Sequence, residues 1–141
     1  MSELQERISV ILKQPQLAAL ATITEDGKPW VRYVMTLADD NLLIRCATFV
    51  GARKVKQIEK NPEVHLTCGV TNPQEMAPYL QIQGRATLNT SKEVRHGFWQ
   101  EMLGQIFDGP DDPKYGVLEI VPYRIEYCAV GSYEPEVWTR E

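Results

Sequence analysis

Two β-rich runs, LAALATIT ending at Thr24 and PWVRYVMTL beginning at Pro29, flank an Asp26-Gly27 pair. Asp-Gly is a pair that accepts the positive φ of a tight turn, so the spacing predicts a β-hairpin. More short runs of the same kind follow. LLIRCAT comes after the turn ADDN, then EVHLTCGV, then YLQIQGRATLN after the loop TNPQEMAP, with Gly84 in its middle marking a bulge or kink. VLEIVP and RIEYCAV read as two final strands joined tightly at Pro122-Tyr123. Strand follows strand without regular helix alternation, which excludes a doubly wound parallel sheet. The expected fold is mainly β with helices (α+β), an antiparallel sheet of six to seven strands closed on itself with helices over its ends.

Three helices are expected. Leu4, Ile8, Ile11 and Leu12 form an amphipathic stripe that stops at Pro15. Thr90 to Glu93 match a capping box, opening a helix with Val94, Phe98, Trp99, Met102, Leu103 and Ile106 on one broad face. Between them a short helix begins after Gly51, buries Val55 and Ile58, and ends at Asn61-Pro62. DGPDDPKYG is a polar loop, and the tail GSYEPEVWTRE is less regular. No linker or repeat divides the chain, so residues 1–141 read as one domain.

A chain of 141 residues buries about two-thirds of its unfolded surface and needs no disulfide or metal staple. Its net charge of -4 and pI near 5.3 argue against nucleic acid or an anionic membrane as its main partner. The first residues, MSELQERISVILKQPQ, do not follow a signal-peptide pattern, and no apolar run approaches the roughly 20 residues that span a bilayer. Cys46, Cys68 and Cys128 stand far apart, as reduced thiols do, and the expected location is cytoplasmic. His65 and His96 are too separate to support a metal site, and both Gly-rich phosphate-loop patterns are absent.

The short middle helix opens with Arg53, Lys54 and Lys56. Cations at a helix start oppose the helix dipole by a few tenths of a kcal/mol each. Two readings account for them. Either they face water, or an anion sits there and reverses the balance, since charge-assisted hydrogen bonds are worth about 1.5–3 kcal/mol. Free N–H groups at the helix start, the Thr48 hydroxyl and Arg32 from the neighbouring strand would complete such a site.

VRYVMTL followed by CATFVGARKVKQIEKNPEV, and later YRIEYC, resembles the flavin-binding split-barrel family of pyridoxamine 5'-phosphate oxidase, in particular its short general-stress-protein branch. The resemblance implies an FMN cofactor. Arg32, Tyr33, Val34 and Met35 would lie along it, Ala47 and Thr48 would end the next strand beside it, and Arg53 and Lys54 would hold its phosphate. It also implies a homodimer with flavin sites across the interface. The implied activity is that of an FMN-dependent oxidoreductase on an unidentified small molecule. The alternatives are a non-catalytic flavin store or sensor, and a split barrel that takes deazaflavin or haem. The substrate half of the family pattern is missing. Leu37 stands where the oxidase has a substrate-binding Lys, Cys128 replaces a Trp, and no Arg-x-His motif occurs in the tail. Pyridoxamine-phosphate oxidase activity itself is therefore not expected.

Other candidates read as structural. Cys128 fits a small strand residue better than a redox thiol. His65 and His96 fit polar surface positions, Asp111-Asp112 a solvated turn, and Phe98–Trp99–Met102 packing. Trp138, a large aromatic in a polar tail, either pins the tail or covers the flavin ring from the partner subunit.

Overall fold

The computed structural model describes residues 1–141. Helix α1 (Glu3–Leu12) precedes strands β1 (Gln16–Ile23), β2 (Pro29–Ala38) and β3 (Ile44–Phe49). Helix α2 (Arg53–Lys60) leads to β4 (Glu63–Cys68) and β5 (Tyr79–Asn89). Helix α3 (Lys92–Phe98) and a 3₁₀ turn (Glu101–Gln105) come before β6 (Tyr115–Cys128) and β7 (Glu136–Thr139).

All strand pairs are antiparallel, in the order β3-β2-β1-β4-β5-β6-β7, and a β3–β6 pairing closes the first six strands into a barrel. Closure leaves β7 as one extra strand on β6. Inward residues follow the strand period of two: Leu20, Ile44, Leu66, Ile82, Leu118 and Ile120 are fully buried. Ile8 and Leu12 of α1, with Val55 and Ile58 of α2, extend the same core.

The barrel closes unequally. β3 pairs with β6 from Ile44 to Phe49, but with β2 only at Leu37↔Arg45 and Ala38↔Ile44. Arg45, bonded through Nε to Glu119 at 2.9 Å, fixes β3 to β6 at the point of divergence. Beyond it β2 and β3 splay, and alternate backbone groups of β2 have no ladder partner on that side.

Three expectations change. VLEIVP and RIEYCAV are one continuous strand, β6, rather than two. Its register moves from Gln83↔Arg124 to Gly84↔Pro122, so Tyr123 is an inserted bulge residue. Gly84 fits this close approach because an added Cβ would fall 3.0 Å from Ile120 Cγ2 and from Val121 O.

The second amphipathic helix stops early as well. Ser91, not Thr90, is its N-cap, accepting from the Val94 N–H at 3.2 Å. Trp99 and Gln100 then turn extended before the 3₁₀ turn, because the Trp99 ring packs edge-on against Tyr115 at 5.4 Å. Finally, the tail is ordered: β7 pairs Trp138 with Ile125.

Candidate functional site

The hairpin turn and the Gly51 break together deliver α2 to the mouth of the split. Ala52 caps the helix without a side-chain hydrogen bond, and no acidic residue occupies the first turn. The Arg53 and Lys54 N–H groups are therefore free for an external acceptor, while the Val55 N–H donates to Ala52 O at 3.1 Å. Arg53 and Lys54 stand at this bare end.

Arg32 reaches the same place from β2. Its Nη1 donates to Thr22 Oγ1 at 2.7 Å, to Trp30 O at 3.1 Å and to Leu20 O at 3.2 Å. Its Nη2 donates to Gln57 Oε1 at 3.2 Å. Every acceptor is neutral. Burial and the neighbouring Arg53 charge hold the Arg32 guanidinium below its ordinary value. Burial, with the Arg32 charge adding to it, pulls the Lys54 ammonium down too, against a smaller upward pull from Cys46. None of the ion pairs in the structure uses Arg32, Arg53 or Lys54. Three cations thus converge without a carboxylate, an arrangement whose mutual repulsion an anion would relieve.

A cleft of about 260 Å³ opens from this cluster along the split. Lys54 is its one charged lining residue. One wall is β2 from Tyr33 to Leu37, another is Ala47, Thr48 and Phe49 of β3, and a third is the segment from Phe98 to Phe107. Thr48 is 3% exposed, and its hydroxyl donates only to the adjoining Phe49 carbonyl, at 3.1 Å. Thr36, 1% exposed and also lining the cleft, keeps an Oγ1 with no partner at all. The third wall is held from behind: Phe107 packs on Phe49 at 4.9 Å and on Tyr115 at 5.0 Å, and the Tyr115 hydroxyl donates to Arg95 O at 2.9 Å.

The structure therefore brings Tyr33, Val34, Met35, Ala47, Thr48 and Lys54 to one cleft, with Arg32 and Arg53 beside it. Trp138 stands apart within its own chain. Its ring packs on the main core, its Nε1 donates to Gln5 Oε1 at 3.4 Å, and Arg140 lies over it at 5.3 Å. Cys128 is half-buried opposite Tyr79 and outside the cleft. Leu37 lines the cleft where the family pattern has a lysine. Asp112 is not a solvated turn residue but is 6% exposed. The Asp108 and Lys114 N–H groups donate to its carboxylate at 2.9 Å each and hold it below the usual range.

Sequence reading missed Thr36, Gln57, Trp30 and the Phe98–Phe107 wall. A polar residue on the inward face of an otherwise apolar strand was the available signal for Thr36. Gln57 carried none, because its partners lie far away in the chain.

A closed six-stranded antiparallel barrel with one extra strand and a cleft along its split defines the split-barrel class. The family model described as pyridoxamine 5'-phosphate oxidase matches residues 4–129. The chain belongs to the pyridoxamine 5'-phosphate oxidase family. It is 33% identical over 133 residues to general stress protein 26 of Bacillus subtilis, covering 94% of each chain. The crystal structure of general stress protein 26 from Bacillus anthracis superposes with a TM-score of 0.85 at 27% identity, covering 99% of this chain and 100% of that one. A putative pyridoxamine 5'-phosphate oxidase from Listeria innocua gives 0.77 at 28% identity, covering 92% and 100%. More distant structures share the fold alone. One from Nostoc punctiforme, 18% identical, is described as FMN binding, and one from Mycobacterium smegmatis, 16% identical, as heme binding.

Proposed function

We propose that this chain binds FMN, with the phosphate among Arg32, Arg53 and Lys54 and the ring in the adjoining cleft, and serves as an oxidoreductase toward a small molecule. The observation that carries this reading is the set of three converging cations without a carboxylate, next to an uncapped helix start. The rest of the cleft fits the same ligand. Its apolar walls suit a flat ring.

When bound, a flavin itself supplies hydride and single-electron chemistry. The chain's own residues bind, orient and desolvate. Arg53, Lys54 and the α2 N–H groups fix the phosphate. The free edge of β2 at Tyr33–Met35 offers backbone donors and acceptors. Phe49, Phe98 and Phe107 keep water from the ring. Leu37 leaves a second phosphate group without a cation, at the several-kcal/mol cost of an unpaired buried charge, so pyridoxamine 5'-phosphate is a poor substrate. Haem is disfavoured because neither histidine lines the cleft, and His96 is engaged with Asp111 at 2.7 Å.

The reading includes a homodimer. Val31, Tyr33 and Met35 alternate on the outer face of β2 and register with Ala21, Ala19 and Leu17 of β1. Tyr33 is 74% exposed and Val31 63%. A continuous apolar sheet face of this kind calls for a covering partner. It also borders the cleft through Tyr33 and Met35, so a second copy seated there would complete the cofactor site. The three free cysteines fit a reducing compartment, the cytoplasm.

The visible spectrum of the purified protein tests the proposal. Paired flavin bands support it, and a Soret band overturns it. Bleaching by a nicotinamide donor, with recovery on adding an electron acceptor, separates an oxidoreductase from a cofactor store. Light scattering separates a dimer from a monomer.

A further inference from the structure

The way Arg32 is held carries a consequence for binding. Four oxygens surround its guanidinium, and the hydrogen bonds form an ordered circuit. Arg32 Nη1 donates to Thr22 Oγ1, the Thr22 hydroxyl donates onward to Gln57 Oε1, and Arg32 Nη2 donates to that same Gln57 oxygen. Thr22 is fully buried on β1, and Gln57 lies one turn into α2 beyond Lys54. The circuit thus ties the strand that carries Arg32 to the helix that carries Arg53 and Lys54.

A carboxylate would be the stronger acceptor at this place, since charged hydrogen bonds are worth roughly twice neutral ones. It would also neutralise the guanidinium. An amide and a hydroxyl orient it and leave its charge for another group. The repulsion this leaves between Arg32, Arg53 and Lys54 is an expense in the ligand-free protein that a bound anion removes. Gln57 does not line the cleft but a neighbouring hollow that it shares with Arg53, and its hydrogen bond toward the site runs to Arg32.

We infer that Gln57 is a positioning residue which, with Thr22, aims Arg32 at the phosphate-bearing ligand while keeping its charge unspent. The inference rests on the phosphate-site reading above. It predicts that stability and affinity move in opposite directions when the acceptor gains a charge.

The test compares FMN with riboflavin, which lacks the phosphate, on the full chain and on Gln57→Glu and Gln57→Leu. Wild type should bind FMN far more tightly than riboflavin. In Gln57→Glu, the new Glu–Arg32 ion pair should keep or raise the melting temperature. FMN affinity should fall by about ten- to a hundredfold, the size of a lost charge-assisted contact, with riboflavin affinity unchanged. Gln57→Leu removes an acceptor without adding charge and should lose only about two- to tenfold for FMN. That order, wild type above Leu above Glu, is a charge signature that a purely structural role does not produce. FMN binding by Gln57→Glu equal to wild type overturns the inference. So does a Gln57→Glu chain that fails to fold, since the added ion pair should hold the circuit together. If wild type binds FMN and riboflavin alike, the phosphate-site reading falls first, and the inference falls with it.

Discussion

The guanidinium carbon of Arg53 lies 5.8 Å from the centroid of the Trp30 ring. Trp30 also lends its carbonyl to Arg32. One residue beside the hairpin turn therefore steadies both arginines of the site, and Trp30, 50% exposed, has no core to fill. A cation–π contact of this exposed kind is worth about 0.5–1 kcal/mol. Trp30→Ala should weaken FMN binding about two- to fivefold and leave riboflavin unchanged, while Trp30→Phe should recover most of the loss. Equal loss for both ligands in a titration would show that Trp30 shapes the cleft rather than the phosphate site.

Thr36 presents the opposite situation, a buried hydroxyl with nothing to bond. An unsatisfied buried polar group costs about 1–3 kcal/mol, and Val replaces Thr with nearly the same shape. Thr36→Val should therefore raise the melting temperature of the ligand-free protein. FMN and riboflavin affinities should both stay close to wild type, unlike in the arginine-site variants. A thermal melt with no gain would mean that the hydroxyl is already satisfied in solution.

The pH dependence of binding follows from Lys54. Its pKa in the ligand-free protein lies below the ordinary 10.5, chiefly through burial. The charged form is thus disfavoured in the folded state, and the ligand-free protein should gain stability as pH rises through that depressed value. A bound phosphate favours the charged form, so FMN affinity should fall over the same rise. On the acid side the phosphate loses its second charge near its pKa of about 6. Affinity for FMN should peak between these limits, while riboflavin shows a flat profile. Matching profiles for the two ligands in fluorescence titrations would contradict a phosphate held by Lys54.

At the far end of the molecule the tail is strapped to α1. Both Arg7 guanidinium nitrogens Nη1 and Nη2 donate to Glu136, at 2.7 and 2.9 Å, next to the Trp138–Gln5 contact. Trp138→Ala should lower the melting temperature and leave FMN affinity and bound-flavin fluorescence as they are. A change in that fluorescence at saturating FMN would instead place the ring over the flavin of a partner subunit.

What could be read from the chain divides by distance. The Asp26-Gly27 hairpin, the succession of strands and the uncompensated cations at the start of α2 are all local, written in adjacent residues. Tyr123 defeated that reading because Pro122 looks like a strand break until β5 supplies Gly84 opposite it. The second amphipathic helix failed for a similar reason: a periodic apolar face continued past Phe98, but Tyr115 draws Trp99 out of the helix. Arg32 was legible as a site residue. Its bracket was not, since Thr22 and Gln57 meet it only once β1 and α2 are packed together.

The central claim is that the reversed charge at the start of α2 exists for a phosphate. Calorimetric titration of Arg53→Ala/Lys54→Ala with FMN and with riboflavin tests it most directly. Two charge-assisted contacts at about 1.5–3 kcal/mol each predict a loss of at least roughly a hundredfold for FMN, with riboflavin affinity close to wild type and the ligand-free melting temperature kept or raised as the repulsion among the cations is relieved. Retention of FMN binding by the double variant, or equal loss of both ligands, would contradict it.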